Sequence, residues 1–293
     1  MIIQNRSFAS LFADVIIHIV LFFFALITVI PFYSIIVGSL ASARENALNP
    51  LLLWTREPTL DSYRYLVSTP TMPRALLISV YITIVGTATN IFMTVLMAWP
   101  LAHKRIMGRS WIMFFVTFTM LFSGGMIPSY IVVRATGLLN SWAALVIPSA
   151  ISAFNLILMK NFFQSLPDSL EESAKIDGAN DLVILFRIVV PLSMAAIATF
   201  TLFYAVGHWN SFMPVILYIN RANKWTVQVL LRQIVILSHR GVGDSSLMGE
   251  QFLVPPQGVK MAAIIFSTFP ILCVYPFLQK YFMKGVMLGS IKG

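Results

Sequence analysis

Charge is scarce in this chain: Asp, Glu, Lys and Arg make up 11% of its 293 residues, against about 25% in a soluble globular domain. That shortage excludes an ordinary soluble fold. With 58% hydrophobic residues and a mean hydropathy of +0.83, it marks an integral membrane protein with several spans. Cysteine is scarcer still. The single Cys273 excludes an intramolecular disulfide and any multi-thiolate metal site, and its apolar setting, Ile-Leu-Cys-Val, predicts a small buried thiol. Strand-like alternation is missing, and the apolar runs are too long for barrel strands. No segment fits Gly-x-x-x-x-Gly-Lys-Ser/Thr, so the chain has no phosphate-cradling loop of its own. The nearest candidate, Gly285-Val-Met-Leu-Gly289, lacks the Lys and has the wrong spacing. The formal charge is +9, but no basic cluster with interleaved aromatics occurs. That argues against nucleic acid and for loops beside anionic lipid.

What is present is a set of long apolar runs. Six can span a bilayer as helices, at about 15–38, 75–102, 111–133, 142–159, 188–219 and 259–283. The expected fold class is therefore an all-α integral membrane protein with six transmembrane helices. Ala41-Ser-Ala43 resembles a signal cleavage site, but the run before it exceeds twenty residues, against about 7–15 for a signal peptide; the first run is kept as a span. An even number of spans puts residues 1–14 and 284–293 on one side. Lys and Arg divide evenly, 10 of 20 on each side. The short loop His103-Lys-Arg-Ile-Met-Gly-Arg109 carries three bases and no acid, which favours cytoplasmic termini. Two long outer segments then remain, about 39–74 and 220–258. They cover a partner or substrate entrance, or they are solvated loops with short helices. Gly124-Gly125 before Pro128 predicts an interrupted third span. Asp14 and His18, four residues apart, predict an interfacial pair. Asn90 and Asn155 predict packing contacts between helices. The first five spans hold no Asp, Glu, Lys or Arg, which counts against an ion-coupled secondary transporter.

One polar segment stands out, Ser165 to Asn180. Ser165 can cap a helix with Pro167 in its first turn, and Asp168, three after the cap, approaches a capping box. Asp168, Glu171 and Glu172 suit the start of the macrodipole. Leu166, Leu170 and Ala174 recur every four residues as a narrow apolar stripe. Gly178 can take the left-handed position after the helix, Asn180 or Asp181 can cap the next one, and Pro191 breaks or kinks it. An interfacial lipid helix is rich in Lys and Arg on its polar face, whereas Asp168, Glu171, Glu172, Asp177 and Asp181 here face only Lys175. Docking to a protein is the better reading.

The run Glu172-Ser-Ala-Lys-Ile-Asp-Gly-Ala179, followed by Phe186-Arg-Ile-Val-Val-Pro191, closely resembles the EAA loop of permease subunits in ABC importers. Glu172, Ala174, Gly178, Ile188 and Pro191 match that pattern. Ser173, Val190 and Ala195 depart from it mildly. The tail Tyr275 to Gly293 looks like that of maltose-type carbohydrate permeases. Phe122-Ser-Gly-Gly-Met-Ile-Pro-Ser-Tyr130 and Gly137-Leu-Leu-Asn140 look like the subgroup importing oligosaccharides of plant and algal polysaccharides. The resemblance covers nearly the whole chain.

That resemblance implies the type I ABC importer permease fold in a bacterial inner membrane, without catalytic residues. It implies a second homologous permease subunit, two ATPase subunits that bind ATP and Mg, and an extracytoplasmic solute-binding protein. A coupling helix at about 167–176 would dock on one ATPase through Leu170, Glu172, Ala174, Asp177 and Gly178, with Pro191 behind it, and Lys292 and Gly293 would reach the ATPase interface. Sugars are held by aromatic stacking and a few fixed polar groups. Tyr204, His208, Trp209, Asn210 and Ser211 cluster in span five. Tyr204, His208 and Ser211 share a helical face, which lines the channel or forms helix–helix hydrogen bonds. Outer-loop bases suit an acidic cargo such as alginate or pectin fragments, and an alginate-type oligosaccharide is the first expectation.

Overall fold

The computed structural model describes residues 8–49, 51–237 and 257–290. Among these the only β pairing is one antiparallel bridge, Ala41 to Pro58. The helices run in the order α1 (Phe8–Ser39), α2 (Ala43–Leu48), α3 (Asp61–Ser68), α4 (Thr71–Ala102), α5 (Arg109–Leu121), α6 (Met126–Ala135), α7 (Ala143–Val146) and α8 (Ala153–Gln164). They continue with α9 (Asp168–Ile176), α10 (Asp181–Ile184), α11 (Val190–Leu192), α12 (Met194–Trp209), α13 (Met213–Tyr218), α14 (Val227–Leu237) and α15 (Gln257–Ser290).

α1, α4 and the Gln257–Pro276 part of α15 are each long and apolar enough to cross a membrane. α1 is apolar and exposed from Phe12 to Tyr33, as a lipid-facing helix is, and only its last turns bury Ser34 and Ser39. His18 meets the backbone carbonyl of Asp14 at 2.6 Å, not its carboxylate. The predicted third run is two short helices, α5 and α6, parted at Phe122–Gly125, where Gly125 takes φ +84°. The fourth is α7, a 3₁₀ turn and α8, bent by 53°. Cys273 is exposed, not buried; in a membrane helix apolar surroundings in sequence do not imply a protein interior.

Span five departs most from the single run predicted over 188–219. It begins earlier, as α10, passes through a π-turn at Leu185–Val189 and α11, then bends by 84° into α12. The expected break at Pro191 falls at Ser193 instead. Pro191 has no N–H, and the ladder ahead of it widens, so that the Val190 amide reaches back to the Leu185 carbonyl. α12 stops at Trp209 because Pro214 cannot donate to the Asn210 carbonyl, and it opens α13 instead.

The chain forms two compact units, residues 1–70 with 231–268 and residues 71–230 with 269–293. In the first, the segment after α1 is a folded pad. Thr59 N–H bonds Leu40 C=O at 2.7 Å, and buried Asn46 donates to Gly38 C=O at 2.8 Å. Glu45 accepts the Thr55 hydroxyl at 2.5 Å and the Arg56 amide at 2.9 Å, and these two bonds hold its carboxyl below the ordinary value. In the second unit Ala98, Trp99, Leu156, Phe163, Ile184 and Phe200 knit α4, α8, α10 and α12 into one core. A second cluster, including Ile78, Ile82, Val133, Leu145 and Val215, joins α4 to α6, α7 and α13.

Candidate functional site

The polar segment folds as a nine-residue helix, α9, but its start differs from the prediction. α8 runs on to Gln164, so Ser165 ends that helix and donates its hydroxyl to the Phe162 carbonyl at 2.7 Å. Pro167, with φ −64° and ψ 130°, is the cap residue of α9 and makes no side-chain cap bond. Gly178 does take the left-handed conformation, φ +81°, and Asn180 Oδ1 accepts the Val183 amide at 2.9 Å to start α10. Asp177 sits at the C-cap of α9.

The apolar stripe divides. Ala174 is 7% exposed and packs in the core with partly buried Leu166, so these two seat α9 on its own chain. Ala174 therefore anchors the helix and does not belong to its outer face. Leu170, Glu172, Asp177 and Gly178 are exposed, and Ile176 is 87% exposed. Pro191, in α11, is exposed as well. The free face of α9 is thus apolar and acidic together.

Glu171 lies between these faces and carries the electrostatics. One carboxylate oxygen takes Lys175 Nζ at 2.6 Å, and the other meets His103 Nε2 at 2.7 Å. Lys175 also reaches Asp181 at 3.5 Å. Burial pushes the Glu171 carboxyl up, but the bonds from Lys175 and His103 outweigh it and leave it below the ordinary value. The bond to Glu171 raises Lys175. Sequence reasoning weighed the loop 103–109 only by net charge and missed His103. The available signal was a titratable ring placed just past a span, one turn beyond Trp99.

The cluster on α12 is built differently. Tyr204 and His208 are buried and face α4: Tyr204 Oη lies 2.9 Å from Thr94 Oγ1, and His208 Nε2 lies 2.6 Å from Asn90 Oδ1. Asn90 donates its amide N–H groups to the Ser149 and Ala150 carbonyls at 2.5 and 3.0 Å, and the Ser152 amide reaches Tyr204 Oη at 3.2 Å. Residues 149–152 form the break between α7 and α8, where backbone groups lack helical partners. Asn90 and Tyr204 therefore satisfy an interruption at membrane depth, as such breaks require. Because both Asn90 N–H groups go to carbonyls, its Oδ1 is the acceptor and His208 carries its proton on Nε2. Gly86 makes the approach possible: a Cβ there would stand 2.6 Å from the His208 ring.

The predicted shared face holds for Tyr204 and His208 alone. Ser211 lies past the end of α12, where its amide bonds His208 C=O at 3.1 Å. Trp209 is buried, and its Nε1 has no acceptor among the described residues. Asn210, the C-cap, is exposed. The predicted tail contacts Lys292 and Gly293 lie outside the described residues. No cluster of three metal-ligating side chains occurs among the described residues.

Comparison with known proteins agrees with this architecture. The family described as "Binding-protein-dependent transport system inner membrane component" matches residues 4–287. The chain is 52% identical over 290 residues to the polygalacturonan/rhamnogalacturonan transport system permease protein YtcP of Bacillus subtilis (strain 168), covering 99% of this chain and 100% of that one. It is 52% identical over 268 residues to protein LplC of the same organism, covering 91% and 90%. A crystal structure of a bacterial ABC transporter involved in import of the acidic polysaccharide alginate contains a chain of 30% identity that superposes with a TM-score of 0.87, covering 95% of this chain and 99% of that one.

Proposed function

The chain belongs to the family of binding-protein-dependent transport system inner membrane components, and from that premise we propose how it is driven and what it carries. It is a permease subunit of a carbohydrate ABC importer with the type I fold, and such subunits are not themselves enzymes. A second homologous permease completes the channel. Two ATPase subunits hold ATP and Mg beneath it, and an extracytoplasmic solute-binding protein delivers the sugar from the other side. Both termini are cytoplasmic, and Lys292 and Gly293 reach the ATPase interface.

The observation that carries the coupling reading is α9. Its acidic, partly apolar outer face of Leu170, Glu172, Ile176 and Asp177 is exposed, while Ala174 fixes it to the core. ATP-driven closure of the ATPases moves α9, and the motion passes into α4 and α12 through that core, with Pro191 beside the 84° bend. Gly178 offers a clean test. A Cβ there meets nothing within 4 Å, so substitution costs backbone strain and no internal clash. Asn tolerates the left-handed conformation. Gly178→Asn should therefore insert and assemble normally yet lose ATP-driven uptake, because its side chain meets the ATPase. Uptake at the parental rate in reconstituted vesicles would refute the coupling role.

For the cargo we propose an oligosaccharide of an acidic polysaccharide, of the pectin type ahead of the alginate type. The support is the 52% identity to a polygalacturonan/rhamnogalacturonan permease, against 30% to the alginate transporter. Within the channel cluster Asn210 has a polar group open to a sugar, whereas Trp209 is buried behind it. Tyr204 and His208 hold the helices behind them, and Ser211 closes the end of α12. Uptake by the complete importer should be competed by oligogalacturonides more strongly than by alginate oligosaccharides. The reverse order would reassign the cargo.

A further inference from the structure

His103 stands in a contact that the transport reading alone does not use. It is the first residue after α4. Its Nδ1 lies 3.0 Å from the Trp99 carbonyl at the end of that helix, and its Nε2 lies 2.7 Å from Glu171 on α9. The Trp99 ring packs edge-on against the imidazole at 4.5 Å between centroids. A carbonyl oxygen can only accept a hydrogen bond, and so can an ionised carboxylate. The low position of the Glu171 carboxyl keeps it ionised near neutrality. Both ring nitrogens of His103 therefore face acceptors, the Trp99 carbonyl on one side and the Glu171 carboxylate on the other. The bond to Glu171 is then charge-assisted, the stronger class of hydrogen bond.

The other charged groups nearby do not compete for this place. Lys104 and Arg105 follow His103 in the loop. Arg109 on α5 turns its Nε to the Leu101 carbonyl at 2.8 Å. From α8, Gln164 takes the Ala102 carbonyl at 2.8 Å, and Lys160 is buried there. From α9, Lys175 occupies the other oxygen of Glu171 and extends to Asp181 on α10. Among the described residues, His103 to Glu171 is the side-chain hydrogen bond between the end of α4 and α9.

We propose that His103 is a positioning residue for coupling: it latches α9 to the cytoplasmic end of α4, so that displacement of α9 by the ATPase is passed to that span. Ala174 and its neighbours give α9 an apolar seat that permits sliding, since apolar contact has no fixed direction. A charge-assisted hydrogen bond adds direction. The inference rests on the reading of α9 as the coupling helix.

The test uses the complete importer in vesicles, with both permeases, the ATPases and the binding protein, and reads sugar taken up per ATP hydrolysed. His103→Gln removes the imidazole and keeps much of the bulk, His103→Lys presents a fixed cation, and Glu171→Gln removes the acceptor charge. We expect His103→Gln and Glu171→Gln to hydrolyse ATP while the ratio falls several-fold. His103→Lys should restore most of it, and only while Glu171 is present. A parental ratio in Glu171→Gln overturns the latch. So does equal loss in the Gln and Lys variants of His103, which would mean that shape matters and charge does not. If His103→Gln fails to assemble, Glu171→Gln carries the decision alone. Gly178→Asn separates the two ideas: if it stays coupled, the reading of α9 fails, whereas if it uncouples while the latch variants do not, only the latch fails.

Discussion

Gly86 is where a single methyl group would decide whether two helices fit. A Cβ at this position would lie 2.6 Å from both Cε1 and Nε2 of His208. His208 cannot swing away freely, because its Nε2 is held by Asn90. Overpacking of this kind costs about 1–3 kcal/mol, so Gly86→Ala should lower the thermal stability of the purified complex. Adding His208→Ala should recover part of the loss. Additive losses in the double variant would show that the two residues do not meet. Asn90→Leu makes a related test: it keeps the volume and strands the Ser149 and Ala150 carbonyls without their donor. A buried unsatisfied group costs about 1–3 kcal/mol, so this change should destabilise more than Thr94→Val, which frees only a hydroxyl pair. The sequence offered Asn90 as a packing contact and Tyr204 and His208 as possible channel residues. It could not say that one amide serves both a broken span and a histidine, because that depends on α4, α12 and the 149–152 break meeting at one depth.

Among the elements, α9 is the one most legible in the sequence. Its composition, its stripe and Gly178 place a short helix that ends before Gly178 as observed, although a cap at Ser165 would start it two residues ahead of Asp168. What composition hides is which half of the stripe faces inward. Leu166 and Ala174 pack in the core while Leu170 does not, and a four-residue spacing treats all three alike. The π-turn at Leu185–Val189 is equally hidden, since Pro191 announces a disturbance in the ladder and not the residue at which the chain turns. The ionic contacts of α9 predict its response to pH. Glu171 is pushed up by burial but brought below its ordinary value by Lys175 and His103, so the unfolded segment binds the proton more readily. Its contribution is complete above the ordinary carboxylate value and is lost as pH falls through the lower folded value. Lys175 is raised, so its contribution is complete below the ordinary ammonium value and is lost only as pH rises through the higher folded one. Amide-exchange protection of α9, corrected for the intrinsic pH dependence, should therefore survive acidification through the ordinary carboxylate value and fail below it. Failure already at that value, or equal protection in Glu171→Gln, would contradict the role given to this carboxylate.

At the scale of the whole chain, hydrophobicity locates every apolar run but not its continuity. α1, α4 and α15 are long enough alone, whereas the third, fourth and fifth runs are divided by turns that leave mean hydropathy untouched. Glycine and proline are the usable signals: Gly125 does open α6, and Pro214 does open α13. Orientation has the least support in the sequence, because Lys and Arg divide evenly and only the loop 103–109 tips the count. That weakness can be removed with the one cysteine. Changing Cys273 to Ser leaves a thiol-free chain, into which single cysteines can be placed. Met107, in the basic loop, is 97% exposed, and Trp54, in the pad after α2, is 77% exposed, so either position accepts a thiol and a maleimide without disturbing the core. α4 lies between them in sequence and is long enough to cross the membrane. With cytoplasmic termini, Met107→Cys should react with an impermeant maleimide only in inside-out vesicles and Trp54→Cys only in right-side-out ones. The opposite pattern inverts the chain and places α9 outside, away from any ATPase, and the coupling reading falls with it. Labelling of both from the same side would mean that α4 does not cross, and with that the even count of spans would fail.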